Sequence, residues 1–145
     1  MKKYTSIFLL FLILAGCNPL NGPNETQIPQ SGKVLVENIE YEMTGGEYKW
    51  IGKNAEARRL DVAPPSHLAD EIESILTEKN SQIEIVIELT PELTVYLWNE
   101  DERLKEITLK DNQFTAPSAG GRYIYEVRSK WINGEASFVF VIEVN

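Results

Sequence analysis

The chain has 145 residues, 43% hydrophobic and 25% charged, with 14 Lys and Arg against 22 Asp and Glu for a formal net charge of −8. An acidic balance of this size is repelled by nucleic acid and by anionic headgroups, so neither is an expected partner surface. One cysteine and one histidine exclude an internal disulfide, a thiolate zinc cluster and a two-histidine metal site.

Lys2 and Lys3 form a basic head, Ile7 to Leu14 (IFLLFLIL) an unbroken apolar run, and Ala15-Gly16 a small-residue processing site. As a helix the run is about 12 Å long, too short for a hydrocarbon core of about 30 Å, and Asn18-Pro19 stops it. Leu14-Ala15-Gly16-Cys17 resembles the lipobox of bacterial lipoproteins, in which Leu, a small residue and Gly precede an invariant Cys. The resemblance implies diacylglycerol on the Cys17 thiol and cleavage between Gly16 and Cys17. It also implies a mature chain that starts at the lipidated cysteine, anchored in the cell membrane and facing its extracytoplasmic side. Two acyl chains suffice for a stable anchor. Removal of residues 1–16 takes Lys2, Lys3 and no acid, leaving 12 basic and 22 acidic side chains, a balance of −10.

From Asn18 to Gly32 (NPLNGPNETQIPQSG) the chain lacks apolar periodicity and reads as a tether, so residues 17–32 comprise the lipidated cysteine and its spacer. As a flexible coil it would reach about 20 Å. Residues 33–145 are then one folded domain, large enough to bury a core without disulfide staples.

Within that domain, Val34 to Met43 and Glu47 to Ile51 read as strands around a Gly45-Gly46 turn. After Pro64-Pro65, Ser66 is placed to cap a helix in which Leu68, Ile72, Ile75 and Leu76 recur at three- and four-residue spacing. About three turns are expected, packed across an edge or end of the sheets. Gln82 to Leu89 alternates Ile83, Ile85, Ile87 and Leu89 against Glu84 and Glu88, a strand with one wet face. In Leu93 to Trp98, Leu93, Val95 and Leu97 oppose Thr94, Tyr96 and Trp98. From Ile107, a short strand, an Asp111-Asn112 turn and a second short strand lead into the loop Thr115 to Gly121. Arg122 to Ile132 sets Tyr123, Tyr125, Val127, Ser129 and Trp131 against charged Arg122, Glu126, Arg128 and Lys130. Asn133-Gly134 is the signal for a type I′ hairpin. The returning strand, Glu135 to Val144, carries Phe138, Phe140 and Ile142 on one side and Val139 and Val141 on the other, a pattern that suits cover on both faces.

Six to eight short strands and one short helix predict a mainly β fold, an antiparallel two-sheet sandwich. Gly121-x-Tyr123-x-Tyr125 resembles the corner motif of immunoglobulin-like domains, which implies that the Tyr123 hydroxyl turns back to a preceding backbone group. Tyr125 would stand where antibody domains place their second cysteine. The last third, GRYIYEVRSKWINGEASFVFVIEV, is similar to the C-terminal strand pair of lipoproteins of Bacillus-type bacteria, a resemblance that implies no activity.

No catalytic constellation is present: His67 is alone at a helix start, and no nucleophile-elbow, zinc-protease or P-loop spacing occurs. No cofactor is implied. Asn99 to Glu102 (NEDE) reads either as a solvated acidic loop or as a weak calcium site, with Asn99 and Asp101 as candidate ligands. Trp131 belongs to the core by its register, whereas Trp98, with Tyr96 on the same face, is the candidate exposed contact. The leading expectation is a noncatalytic, membrane-anchored binding or accessory module toward an envelope protein or wall component. An inhibitor-like domain acting on an extracytoplasmic enzyme through the Thr115 to Gly121 loop is the alternative, and a small hydrolase or calcium-dependent domain is the next.

Overall fold

A computed structural model describes residues 31–52 and 56–145; Gly16, Cys17 and most of the tether lie outside them. β1 (Gly32–Val36) and β2 (Ile39–Glu42) form a hairpin through Glu37 and Asn38, whose φ angles are 52° and 65°. Positive φ at both central residues is what a two-residue primed turn demands, so the continuous run expected from Val34 to Met43 is divided here. The expected Gly45-Gly46 turn is not a reversal either. Both glycines lie inside β3 (Thr44–Ile51), opposite a register shift between Ala136 and Phe138. A Cβ on Gly46 would meet the Ser137 hydroxyl at 2.5 Å, so the glycine permits close approach at a bulge. β4 (Glu56–Arg59), which no alternation announces, pairs with β3.

The helix is shorter than its spacing predicts. α1 (Pro65–Ala69) has five residues, starts from Pro64 without a side-chain cap, and buries Ser66 within its first turn. Ile75 and Leu76 belong instead to β5 (Ile75–Thr77), which runs parallel to the end of β11 (Gly134–Val144), Ile75 opposite Ile142. Pairing with a strand far along the chain overrides the local helical periodicity. The helix also lies over a sheet face and not across an edge: Leu68, Ala69 and Ile72 pack on Ile124, Val139, Val141 and Trp98. Arg122 Nη2 donates to the Ala69 carbonyl at 2.6 Å and fixes the helix end.

β6 (Gln82–Ile87) buries Ile83, Ile85 and Ile87 as its alternation requires, but Leu89 falls outside the strand and is exposed. β7 (Glu92–Trp98) and β8 (Arg103–Ile107) pair, so the strand expected to start at Ile107 ends there. Asp111 and Asn112, at φ 52° and 60°, make the expected tight turn, across which Lys110 and Gln113 exchange two 3.0 Å backbone hydrogen bonds. β9 (Gln113–Thr115) follows, then β10 (Gly121–Trp131). The β10–β11 loop is Ile132-Asn133, because Trp131 pairs with Gly134. Neither Asn133 nor Gly134 has positive φ, so the expected type I′ turn is absent. Gly134 is needed for another reason: a Cβ there would collide with the backbone of Lys49 and Trp50.

One sheet has the order β2-β1-β6-β9. The other runs β4-β3-β11-β10-β7-β8, with β5 added parallel to β11. Val34, Ile83 and Ile85 from the first sheet meet Val95, Tyr125, Phe138 and Phe140 from the second in one core. This antiparallel sandwich is consistent with an immunoglobulin-like fold, in which β6 and β9 share one sheet and β7, β10 and β11 the other. The corner is made as its motif implies, with the Tyr123 hydroxyl donating to the Ala119 carbonyl at 2.8 Å. Tyr125 is 1% exposed and stacks on Phe140, ring centroids 5.2 Å apart.

Candidate functional site

The charged face expected on β10 is covered at its middle, while Arg122 and Lys130 remain exposed. Ile124 and Glu126 are buried there, beneath α1 and the segment that leads into it. Register places Tyr96 opposite Glu126 and Trp98 opposite Ile124 on β7, while β8 brings Arg103 opposite Trp98. Five side chains from three strands therefore converge on one outer face.

Their donors meet at Glu126 Oε1, which accepts from Arg103 Nη2 at 2.8 Å, Arg103 Nε at 2.9 Å and Trp98 Nε1 at 3.2 Å. The other oxygen faces Arg128 Nη1 at 3.5 Å. Glu126 is 4% exposed, and burial of a carboxylate is tolerable only with such charge-assisted partners. The Arg103 guanidinium lies over the Tyr96 ring, 4.1 Å from its centroid, and 5.9 Å from that of Trp98. Arg128 in turn stands within 3.8 Å of Glu135 and 4.0 Å of Glu47. Tyr96 and Trp98, proposed from sequence as exposed contacts, are thus half-buried, one under a guanidinium and the other against the helix.

Beside this cluster a hollow of about 540 Å³ is lined by Pro64, Pro65, Trp98, Arg103 and Arg128, with Glu47, Asp101 and Glu102 among its acidic groups. With Glu126, four carboxylates face two guanidinium groups, so the lining is net negative. None of the described residues that line it is a histidine, serine or cysteine. The acidic loop is organised from within: Asn99 Oδ1 accepts the Asp101 amide at 2.8 Å and the Glu102 amide at 2.7 Å. The candidate ligand oxygen of Asn99 is therefore committed to its own backbone. Among the described residues no three His, Cys, Asp or Glu are grouped to hold a metal ion. His67 is exposed on α1. The Thr115 to Gly121 loop is pinned, since the Ala116 amide donates to the Ser81 carbonyl at 2.8 Å and Tyr123 holds Ala119.

Sequence alternation misses Glu126, Arg103 and Arg128 as a unit because it assigns faces without showing what covers them. The available signal was Ile124, an isoleucine among the charges of β10, facing Val139 and Val141 across the sheet.

Residues 1–18 match the family model of the prokaryotic membrane lipoprotein lipid attachment site, which includes Gly16 and Cys17. No curated protein and no solved structure matches the chain. Among the described residues no helix is long and apolar enough to cross a membrane. The attachment site supports a membrane-anchored lipoprotein.

Proposed function

We propose that the protein is a noncatalytic binding module, held by lipid on Cys17 at the extracytoplasmic side of the membrane, that engages a cationic segment of an envelope protein. The observation that carries the anchoring is the lipid attachment match over residues 1–18. The choice of partner is supported by the net negative hollow beside Arg103 and Glu126 and by the acidic balance of the whole chain: opposite charge steers association and suppresses wrong partners. A noncatalytic role is supported by the way the hollow uses its charges, since Glu126 is committed to Arg103 and Arg128. The half-buried Trp98 and the guanidinium over Tyr96 give the hollow a rigid wall.

The test has two parts. Cys17→Ala should move the protein from the membrane fraction to the medium or periplasm; retention in the membrane would show the attachment site to be misread. In-cell crosslinking of the tagged, lipidated chain followed by mass spectrometry should recover one partner through the folded domain, and less of it with Cys17→Ala. Reversal of rim charge by Asp101→Lys with Glu102→Lys should reduce that yield at least threefold. Recovery of bystanders alone, or a yield indifferent to the rim charges, would sink the binding reading.

A further inference from the structure

The end of the sandwich at which the described chain begins carries exposed apolar side chains in turns that are ordinarily polar. Gly32 pairs with Ile87, and the turn after Ile87 carries Leu89 at 64% exposure. The Trp131 indole N–H donates to the Glu88 carbonyl at 3.1 Å, which sets the β10–β11 loop beside that turn. This loop carries Ile132, fully exposed. Ile51, more than half exposed, donates its amide to the Asn133 carbonyl at 2.7 Å. Three large aliphatic side chains from separate parts of the chain thus crown one end, above the edge-to-face pair of Trp50 and Trp131, whose centroids are 5.5 Å apart.

Folding does not require them there. Leu89 and Thr90 sit at φ 63° and 42°, left-handed backbone in which Asn or Gly is the low-strain choice. A leucine at that position adds strain and contributes nothing to the core. Ile132 occupies a two-residue loop that a polar residue would serve equally well. Large apolar side chains kept at exposed positions of one end, one of them on left-handed backbone, point to an external contact.

We propose that this tip is a membrane-contacting surface, seated at the interface of the bilayer that holds the lipid anchor; the proposal rests on the anchoring reading above. The course of the chain selects the bilayer over other occupants. Cys17 precedes Gly32 by fifteen residues, which span at most about 50 Å, and the chain joins the domain at this end. The opposite end lies farther by the length of β10 and β11, about 35 Å for eleven residues. Three lysines stand among the acids of this end, which include exposed Glu88 in the same turn as Leu89 and Glu56 opposite Ile51. Lys33 Nζ pairs with Glu40 at 2.6 Å, and the hydrogen-bonded Glu40 carboxylate raises the Lys33 ammonium above its usual value. Lys130 stands opposite Glu92 and Glu135, and Lys49 opposite Glu135. Aliphatic and aromatic groups at the tip can settle at the interfacial level of the bilayer. The anchor supplies the effective concentration that so small a patch needs.

The test uses full-length lipidated protein in vesicles of phosphatidylcholine and phosphatidylglycerol, with brominated lipids as quenchers of tryptophan fluorescence and flotation to report anchoring. The double variant Leu89→Asn with Ile132→Asn is compared with the native chain after thermal unfolding has shown both to be folded; if the double variant fails to fold, Ile132→Asn alone is read the same way. The expected result is that both forms float and that quenching falls at least twofold in the variant. Flotation with equal quenching in both forms, or with none in either, overturns the tip alone. Failure of the native chain to float overturns the anchoring and the tip together. Loss of a detergent-stable dimer in the variant, with quenching unchanged, assigns the patch to a second copy and overturns the membrane contact.

Discussion

Glu126 shows how one buried carboxylate organises a surface. Its Oε1 draws in Arg103, and Arg103 in turn covers Tyr96, so the ion pair and the aromatic stack share a guanidinium. Arg103→Ala should lower the unfolding free energy by about 2 kcal/mol, less than the roughly 3–5 kcal/mol of a wholly buried pair because the Arg103 side chain is 41% exposed and water screens part of its charge. Arg103→Lys should recover only part of this, since an ammonium neither forks onto the carboxylate nor stacks flat on the ring. Denaturant titration measures both. Tyr125 gives a prediction in pH. Burial, aided by nearby Tyr123, holds its hydroxyl protonated well above the usual range, whereas the unfolded chain ionises near about pH 10. The raised folded value means that this contribution is fully present below about pH 10 and is lost as the pH climbs beyond it. Tyr125→Phe should flatten the alkaline fall in stability, followed by unfolding between about pH 8 and 11; an unchanged slope would rule out Tyr125 as its source.

Among the elements, the β10–β11 hairpin shows what alternation can and cannot convey. Its two strands are legible because Tyr125, Val127, Phe138 and Phe140 recur every second residue toward the core. Its turn is not, because Asn133-Gly134 carries a primed-turn signature while the glycine serves the close approach of β3. Gly134→Ala should therefore cost about 3 kcal/mol, the upper end for forcing atoms into packed space, whereas a Cβ at Gly45 meets nothing within 4 Å and Gly45→Ala should stay within about 0.5 kcal/mol. Comparison of the two thermal midpoints checks the assignment. The same limit explains α1. Leu68, Ile72, Ile75 and Leu76 satisfy a helical period, yet Ile75 and Leu76 find backbone partners on β11, a nonlocal contact that no window of sequence contains. The acidic loop is half legible: Asn99 to Glu102 is a loop by composition, but only the structure shows Asn99 closing it upon itself.

At the scale of the molecule, period-two alternation over Ile83 to Ile87, Val95 to Leu97 and Tyr123 to Val127 made a two-sheet sandwich readable, and Tyr123 made its corner readable. The candidate site was not, because it depends on α1 and its lead-in crossing the outer face of the larger sheet, which buries Ile124 and Glu126. Architecture follows from which residues avoid water; a site follows from which chain segment covers them. The position of β11 carries one more implication. It lies at the centre of the larger sheet, bordered by β10, β3 and β5, yet it is the last strand to be synthesised among those described. Until residues 134–144 have been made, β3 with β4 and β10 with β7 and β8 lack the strand that joins them, and the sandwich cannot close. Such long-range closure is slow, so the larger sheet is completed only once the end of the chain is available, and loss of residues from β11 removes the joint of the whole molecule and not merely an edge.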